Sequence, residues 1–381
     1  MQIQTNFEFF NQSKIISGNC ALDNIPFELT GYDARKPLVI ASRKVTERGL
    51  KKTFMKSFYD SVTVIGAFFD EIDDYAGITL AQRGATLFRS RGCDSIIALG
   101  GGAAVDIARA VNLLVTGKTD TLQPYLDGAP LPAHLKPMIY VPAGASRGTE
   151  AANIMTIDNR RIVSDVLFPD VVILDPRMTR SCCAECAAQS AAIAIEQAAM
   201  SILDENNNPM IDAYAYPAMR YLAENVKKGM KKPGNRDAAL ALANASVMAA
   251  VASANAGPGI ARLLAEELET LSGVSTGILI GILLPHALSR IANRKNALRD
   301  ELLLAAAGME VYSATPQKER AIKGVEVTLE IYGNLKRALP ASLQQLNIQK
   351  HLLAKAADAA AKRSGKRYTE ADCLAVLDHA W

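Results

Sequence analysis

Three consecutive glycines, Gly100, Gly101 and Gly102, stand between the apolar run Ile96-Ile97-Ala98-Leu99 and the segment Ala103-Ala104-Val105-Asp106. Glycine lets a backbone approach a phosphate closely. The free amides and positive dipole end of a following helix then favour the negative charge. Taken alone the turn has two readings, a phosphate cradle or a tight strand-to-helix turn. It departs from the dinucleotide fingerprint, because Val105 stands where the third glycine would be and the turn follows the third strand-like run rather than the first. A second cluster, Cys182-Cys183-x-x-Cys186, has the spacing of a metal-binding or redox pair. No second Cys or His pair accompanies it, so buried, inert thiols on a helix are expected. His134, His286, His351 and His379 are too scattered along the chain to define a site. His286 follows a proline in a helical stretch and is expected to be structural.

The elements that must position these residues change character part-way along the chain. In the first half, Leu38 to Ala41, Val62 to Ile65, Ser95 to Leu99 and Met138 to Val141 are apolar runs of strand length. Helix-length segments such as Thr79 to Arg91 and Ala103 to Val115 lie between them. In the latter, Val105, Ala108, Val111 and Val115 share one face. Continuous apolar strands alternating with helices predict a Rossmann-like parallel sheet covered on both sides, an α/β domain. Thr156 to Asp175 adds further strand-like pieces. After Asp175-Pro176 alanine, leucine and glutamate dominate, and Ala187 to Leu203, Ala238 to Ala254, Ala261 to Leu271, Ile278 to Asn293 and Ala321 to Leu335 all read as helices. The expected organisation is an α/β domain over residues 1–178 and an all-α domain over residues 179–381, with a ligand cleft between them.

Composition narrows the function classes. The chain has 381 residues, 42 basic against 39 acidic, for a net charge of +3, which is too small to predict nucleic-acid binding. The basic run from Lys227 to Lys232 is expected to be a solvated helix end or loop. Met1 to Asn11 holds no basic start followed by an apolar run, so no export signal is expected. The most apolar stretches, Ala238 to Ala261 and Val274 to Leu288, are broken by polar residues, glycine or proline and read as buried helices rather than membrane spans. The six cysteines lack disulfide-scaffold spacing, and a reducing cytoplasm is the expected setting.

Longer motifs carry a resemblance. The pattern Gly-Gly-Gly-x-x-x-Asp-x-Ala-basic, here Gly100 to Arg109 with Asp106 inside it, resembles the nucleotide-phosphate motif of iron-dependent alcohol dehydrogenases. Pro142-Ala143-Gly144-Ala145-Ser146-Arg147-Gly148-Thr149-Glu150 is a same-length counterpart of that family's second glycine-rich signature. Asp175-Pro176-Arg177-Met178-Thr179, Ala194-Ile195-Glu196, Ala256-Gly257-x-Gly259 and Leu283-Leu284-Pro285-His286 follow in the family's order, as do Leu339-Pro340-x-x-Leu343 and Gly365 to Glu370 near the end. The resemblance runs from about residue 6 to the end of the chain. It implies NAD or NADP in the first domain, and in the helical domain a divalent metal, held by one Asp and three His, that stabilises the developing alkoxide. It also implies a homodimer. Nucleotide contacts carried over are Ser42, Arg43, Gly100, Gly101, Gly102, Asp106, Ser146 and Arg147.

The metal ligands do not carry over. Their positions hold Gln189, Ile193, Arg262 and Thr276: an amide, an aliphatic group, a guanidinium and a hydroxyl. No metal is expected. Arg262 puts a fixed positive charge where the cation would sit. Either it polarises a carbonyl or holds an anionic group of the substrate, or it forms a helix salt bridge with Glu266 or Glu267. Glu266 takes the position the family gives to a proton-relay His, and Arg147, replacing a Thr, is a further candidate for an anionic group. Ser42 replaces the usual ribose-binding Asp and is followed by Arg43 and Lys44, so NADP is expected over NAD. Ala143-Gly144 replace two threonines that contact nucleotide in the family. The expected function is a metal-free NAD(P)-dependent oxidoreductase of a small alcohol or carbonyl, possibly anionic, with Arg262 and Glu266 as catalytic residues. The alternative is a non-catalytic relative that keeps the fold and nucleotide binding.

Overall fold

The computed structural model describes residues 6–73, 75–144, 148, 150–179, 183–204, 208–292 and 298–381. The chain divides into two compact units, Asn11–Cys182, and Cys183–Trp381 together with Met1–Phe10.

The first unit is built on β1 (Lys14–Ser17), β2 (Pro37–Ser42), β3 (Ala67–Ile72), β4 (Ser95–Gly100), β5 (Met138–Pro142) and β8 (Val171–Leu174), with a hairpin of β6 (Ile154–Ile157) and β7 (Arg160–Val163). The six strands form one sheet in the order β1-β8-β5-β4-β2-β3, and every neighbouring pair is parallel. Alternation explains the unbroken apolar runs. Leu38, Ile40, Ile96, Ala98, Met138 and Tyr140 enter one core, while Val39, Ala41, Ile97, Leu99, Ile139 and Val141 enter another on the opposite face. A strand with both faces covered needs hydrophobic residues at every position. The expected strand at Val62 to Ile65 is a correction: that stretch is irregular, Val62 and Val64 are 73% and 67% exposed, and the strand lies at Ala67–Ile72. Leu38 pairs with Ala67 and Val39 with Phe68, so the ladder on β2 begins only after the β-branched run.

The second unit is helical. Helix Ala184–Ile202 is its axis, buried along nearly its whole length and packed against helices Pro209–Lys231, Arg236–Asn255 and Thr276–Ala292. The basic run expected at a helix end closes helix Pro209–Lys231. The first described residues belong to this unit: Phe9 stacks on Tyr214, and Phe10 exchanges two hydrogen bonds with the Asn255 side chain. Among the described residues, helix Arg236–Asn255 alone is long and apolar enough to cross a membrane. Its Ala245, Ala249 and Ala252 lie in the helical core.

Candidate functional site

The glycine turn ends β4 and starts helix Gly102–Thr116. Gly100 has a φ of +144°, and a Cβ there would come within 2.5 Å of the Ser42 Oγ at the end of the neighbouring strand. Its carbonyl accepts from the Tyr140 hydroxyl (3.1 Å) and the Ala143 amide (3.2 Å), which fixes the turn. Gly101 is different: a Cβ there would meet nothing within 4 Å. As the N-cap it has no side chain to satisfy the first amides of Gly102 and Ala103, and the helix carries no acid in its first turn. An uncapped 15-residue helix behind an open glycine backbone is chemically suited to a phosphate.

Asp106 sits one turn further in and faces the protein. Its carboxylate meets the Arg109 guanidinium at 3.5 Å, and burial raises its pKa to about 7, against the pull of Arg109 and the Thr156 amide. Arg109, 1% exposed, donates to the carbonyls of Ala152 (2.6 Å), Ile154 (2.6 Å) and Leu167 (2.9 Å). The pair therefore fastens the β6–β7 hairpin to the helix that begins at the glycines. In the second glycine motif, Gly144 and Gly148 have positive φ (101° and 71°), whereas Ser146 and Arg147 lie outside the described residues. Asp175, fully buried, accepts from the Leu22 and Arg177 amides and pairs with the Arg177 guanidinium at 2.8 Å, which explains the Asp-Pro motif as a structural fastening.

In the helical unit the structure describes all four residues that the resemblance aligned with the family's metal ligands. Gln189 (4% exposed) and Ile193 lie one turn apart on helix Ala184–Ile202, and Gly277 packs on both: a Cβ there would be 3.0 Å from the Gln189 Oε1 and 3.5 Å from the Ile193 Cδ1. Thr276, next to that glycine, donates through its amide (3.1 Å) and its hydroxyl to Glu269. Arg262, in the first turn of helix Ile260–Ser272, donates from Nε to Glu266 and from Nη1 to the Ser253 hydroxyl, each at 3.1 Å. Glu266 also accepts from Arg363 (2.6 Å), which takes Glu267 with its other nitrogen (2.5 Å). The helix salt bridge is thus formed with Glu266, and Glu267 belongs to Arg363.

This donor set does not fit iron or zinc. It offers one neutral amide oxygen and one hydroxyl, with no thiolate, imidazole or carboxylate among the four. Among the described residues, no group of three or more His, Cys, Asp or Glu is placed to hold a metal.

Glu196 was legible only as part of a motif. Its carboxylate is 1% exposed, neither oxygen completes a hydrogen bond, and a Cβ on Gly259 would lie 2.2 Å from its Oε1. It occupies the place of the missing N-cap side chain of helix Ile260–Ser272, aimed at the Arg262 amide. Burial pushes its pKa up to about 7, opposed by Arg262 and Arg367 and aided by Glu266. The Gly257 of the same motif lies under the ion pair of Arg367 and Asp204.

The cysteines differ from expectation. Cys183 is exposed and Cys186 half-buried, so they are not buried thiols; Cys183 caps helix Ala184–Ile202 by accepting from the Cys186 amide (3.2 Å), and Cys182 lies outside the described residues. His286 and His379 come together, ring centroids 6.4 Å apart, and burial with the neighbouring ring lowers the His286 pKa.

Residues 12–176 match the family described as iron-containing alcohol dehydrogenase, and residues 194–378 match its C-terminal part. The chain belongs to the iron-containing alcohol dehydrogenase family. This is a family of nicotinamide-dependent oxidoreductases, and the chain is a member whose metal positions have been replaced. It is 24% identical to the NAD-dependent methanol dehydrogenase of Bacillus methanolicus, over 98% of this chain and 99% of that protein. Its fold superposes on the sulfoacetaldehyde reductase of Bifidobacterium kashiwanohense in complex with NAD+ (TM-score 0.84, 18% identity, 99% of each chain). It also superposes on the NADH-dependent butanol dehydrogenase A of Thermotoga maritima (TM-score 0.79, 18% identity, all of each chain). These relatives use NAD or NADH by name, which overturns the expectation of NADP. The cation on which that expectation rested has a partner of its own in the structure, Arg43 being paired with an acid. Its guanidinium, expected to meet a 2′-phosphate, is held by Asp73 at 2.8 Å and 3.4 Å, and that carboxylate tightens its hold on its proton.

Proposed function

We propose that this protein is an NAD(H)-linked oxidoreductase that interconverts a small alcohol and its carbonyl compound without a bound metal. The observation that carries the reading is the open, uncapped start of helix Gly102–Thr116 beside a backbone that only glycine fits. Gly101, Gly102 and Ala103 would hold the pyrophosphate through their amides, and the nicotinamide supplies the hydride. Arg262, 23% exposed, is the cation that the helical unit offers to charge developing on the substrate oxygen, and it would also suit a substrate with an acid group. A homodimer in the cytoplasm is part of the same proposal.

A second reading, a nucleotide-binding relative without turnover, is favoured by Glu266. Its two oxygens are taken by two guanidinium groups, which leaves it poorly placed to relay a proton. Titration of the full chain with NADH, followed by turnover on neutral and acidic short-chain aldehydes in chelator, tests both. NADH binding with turnover supports the oxidoreductase. Binding without turnover supports the second reading, and the absence of NADH binding overturns both.

A further inference from the structure

Specificity for the nucleotide ribose depends on a carboxylate at the carboxyl end of a strand, where it accepts from the ribose hydroxyls and repels a 2′-phosphate. β2 has no such acid, because it ends in Ser42 and continues into Arg43. The structure supplies one from the adjacent strand. β3 runs parallel to β2, with Ser42 paired to Ile72, so the next residue, Asp73, emerges beside Ser42 and Arg43. Ser42 is in turn the residue against which Gly100 of the phosphate cradle packs. One edge of the sheet therefore presents the cradle, Ser42 and Asp73 side by side.

Two other acids of β3 have partners of their own. Asp70 accepts from Thr46 (2.8 Å) and Lys51 (3.1 Å), and Glu71 binds Arg83 (2.5 Å). Asp73 is 69% exposed and is met by Arg43, whose guanidinium also reaches the Glu71 carbonyl. With the pair formed, the Arg43 charge is offset by a carboxylate, which weakens its pull on a dianion. The carboxylate keeps lone pairs for neutral hydroxyls, since a carboxylate accepts at about four sites.

We propose that Asp73 is the residue that selects NAD over NADP in this protein, by accepting from the adenosine ribose hydroxyls and by cancelling the attraction of Arg43 for a 2′-phosphate. This rests on the nucleotide-binding reading above. It assigns the selecting acid to the third strand rather than the second.

The test is fluorescence titration of the full chain with NADH and with NADPH, in the wild type, Asp73→Ser, Arg43→Ala and the double variant. The wild type should prefer NADH. Asp73→Ser should weaken NADH binding by about tenfold and strengthen NADPH binding by a similar factor, as a lost carboxylate and a released guanidinium each act. The gain for NADPH should disappear in the double variant, because it comes from Arg43. An unchanged NADH-to-NADPH ratio in Asp73→Ser overturns the proposal while leaving the nucleotide-binding reading intact, as does a gain that survives Arg43→Ala. Failure of the wild type to bind either nucleotide overturns that reading and this one together. Far-UV circular dichroism of each variant separates a binding change from a folding defect.

Discussion

Glu196 keeps a proton because of where it lies. Its ordinary pKa of 4.5 rises to about 7 in the folded chain. Between those values the folded protein holds a proton that the unfolded chain has released. This contribution to stability is therefore full below pH 4.5, declines as pH rises to about 7, and is flat above. The difference is worth at most about 3 kcal/mol. Glu196→Gln should remove that part of the decline, measured as denaturation midpoints at pH 5 and pH 8. Asp106, raised to about 7 by the same cause, should still contribute its own decline in the variant. A wild-type profile that rises across this window would contradict both assignments. Neither shift was readable beforehand, because burial is a property of what packs around a side chain and not of its neighbours in sequence.

At the scale of elements, the strand-turn-helix unit separates the structural use of glycine from the functional one. Gly100→Ala forces a methyl into Ser42 at a left-handed φ and should cost about 1–3 kcal/mol of stability. Gly101→Ala places a methyl in open space on extended backbone, so the melting temperature should hold while NADH affinity falls at least about tenfold. Equal effects on melting for the two variants would refute this division. Arg109→Met removes the guanidinium from three carbonyls and from the Asp106 carboxylate. A loss of about 3 kcal/mol or more is expected in urea denaturation, with hydrogen exchange rising first in the β6–β7 hairpin. The triple glycine and the helix after it were plain in the sequence. The hairpin fastening was not, since Arg109 and its acceptors are more than 40 residues apart.

At the scale of the whole molecule, the family's architecture is kept while the chemistry of one locus has changed. Of the residues aligned with the family's ligands, the Gln189 amide nitrogen, Arg262 and Thr276 hydrogen-bond within the protein, and Ile193 packs beside Gly277. Protein produced in iron- and zinc-supplemented medium should carry far less than one equivalent of either by elemental analysis. Its melting temperature and any turnover should be unchanged by a strong chelator. Stoichiometric metal, lost on chelation together with stability, would refute that account.

The parallel sheet, the glycine turn and the change to helices after Asp175-Pro176 could be derived from residue types and their periodicity, whereas the missing ligands were visible only through the resemblance to the family. The first three depend on local backbone preferences and on hydrophobic pattern, both of which are written along the chain. The Arg262–Glu266 bridge within one helix was among the sequence expectations, but tertiary structure decided the pairs between distant parts of the chain. Asp73 reaches Arg43 through strand pairing, Arg363 takes Glu266 and Glu267 from a distant helix, and Glu196 is buried where Gly259 of another helix comes close to its carboxylate. Charge pairing and desolvation act through space over a few ångströms, and separation along the chain does not measure that distance.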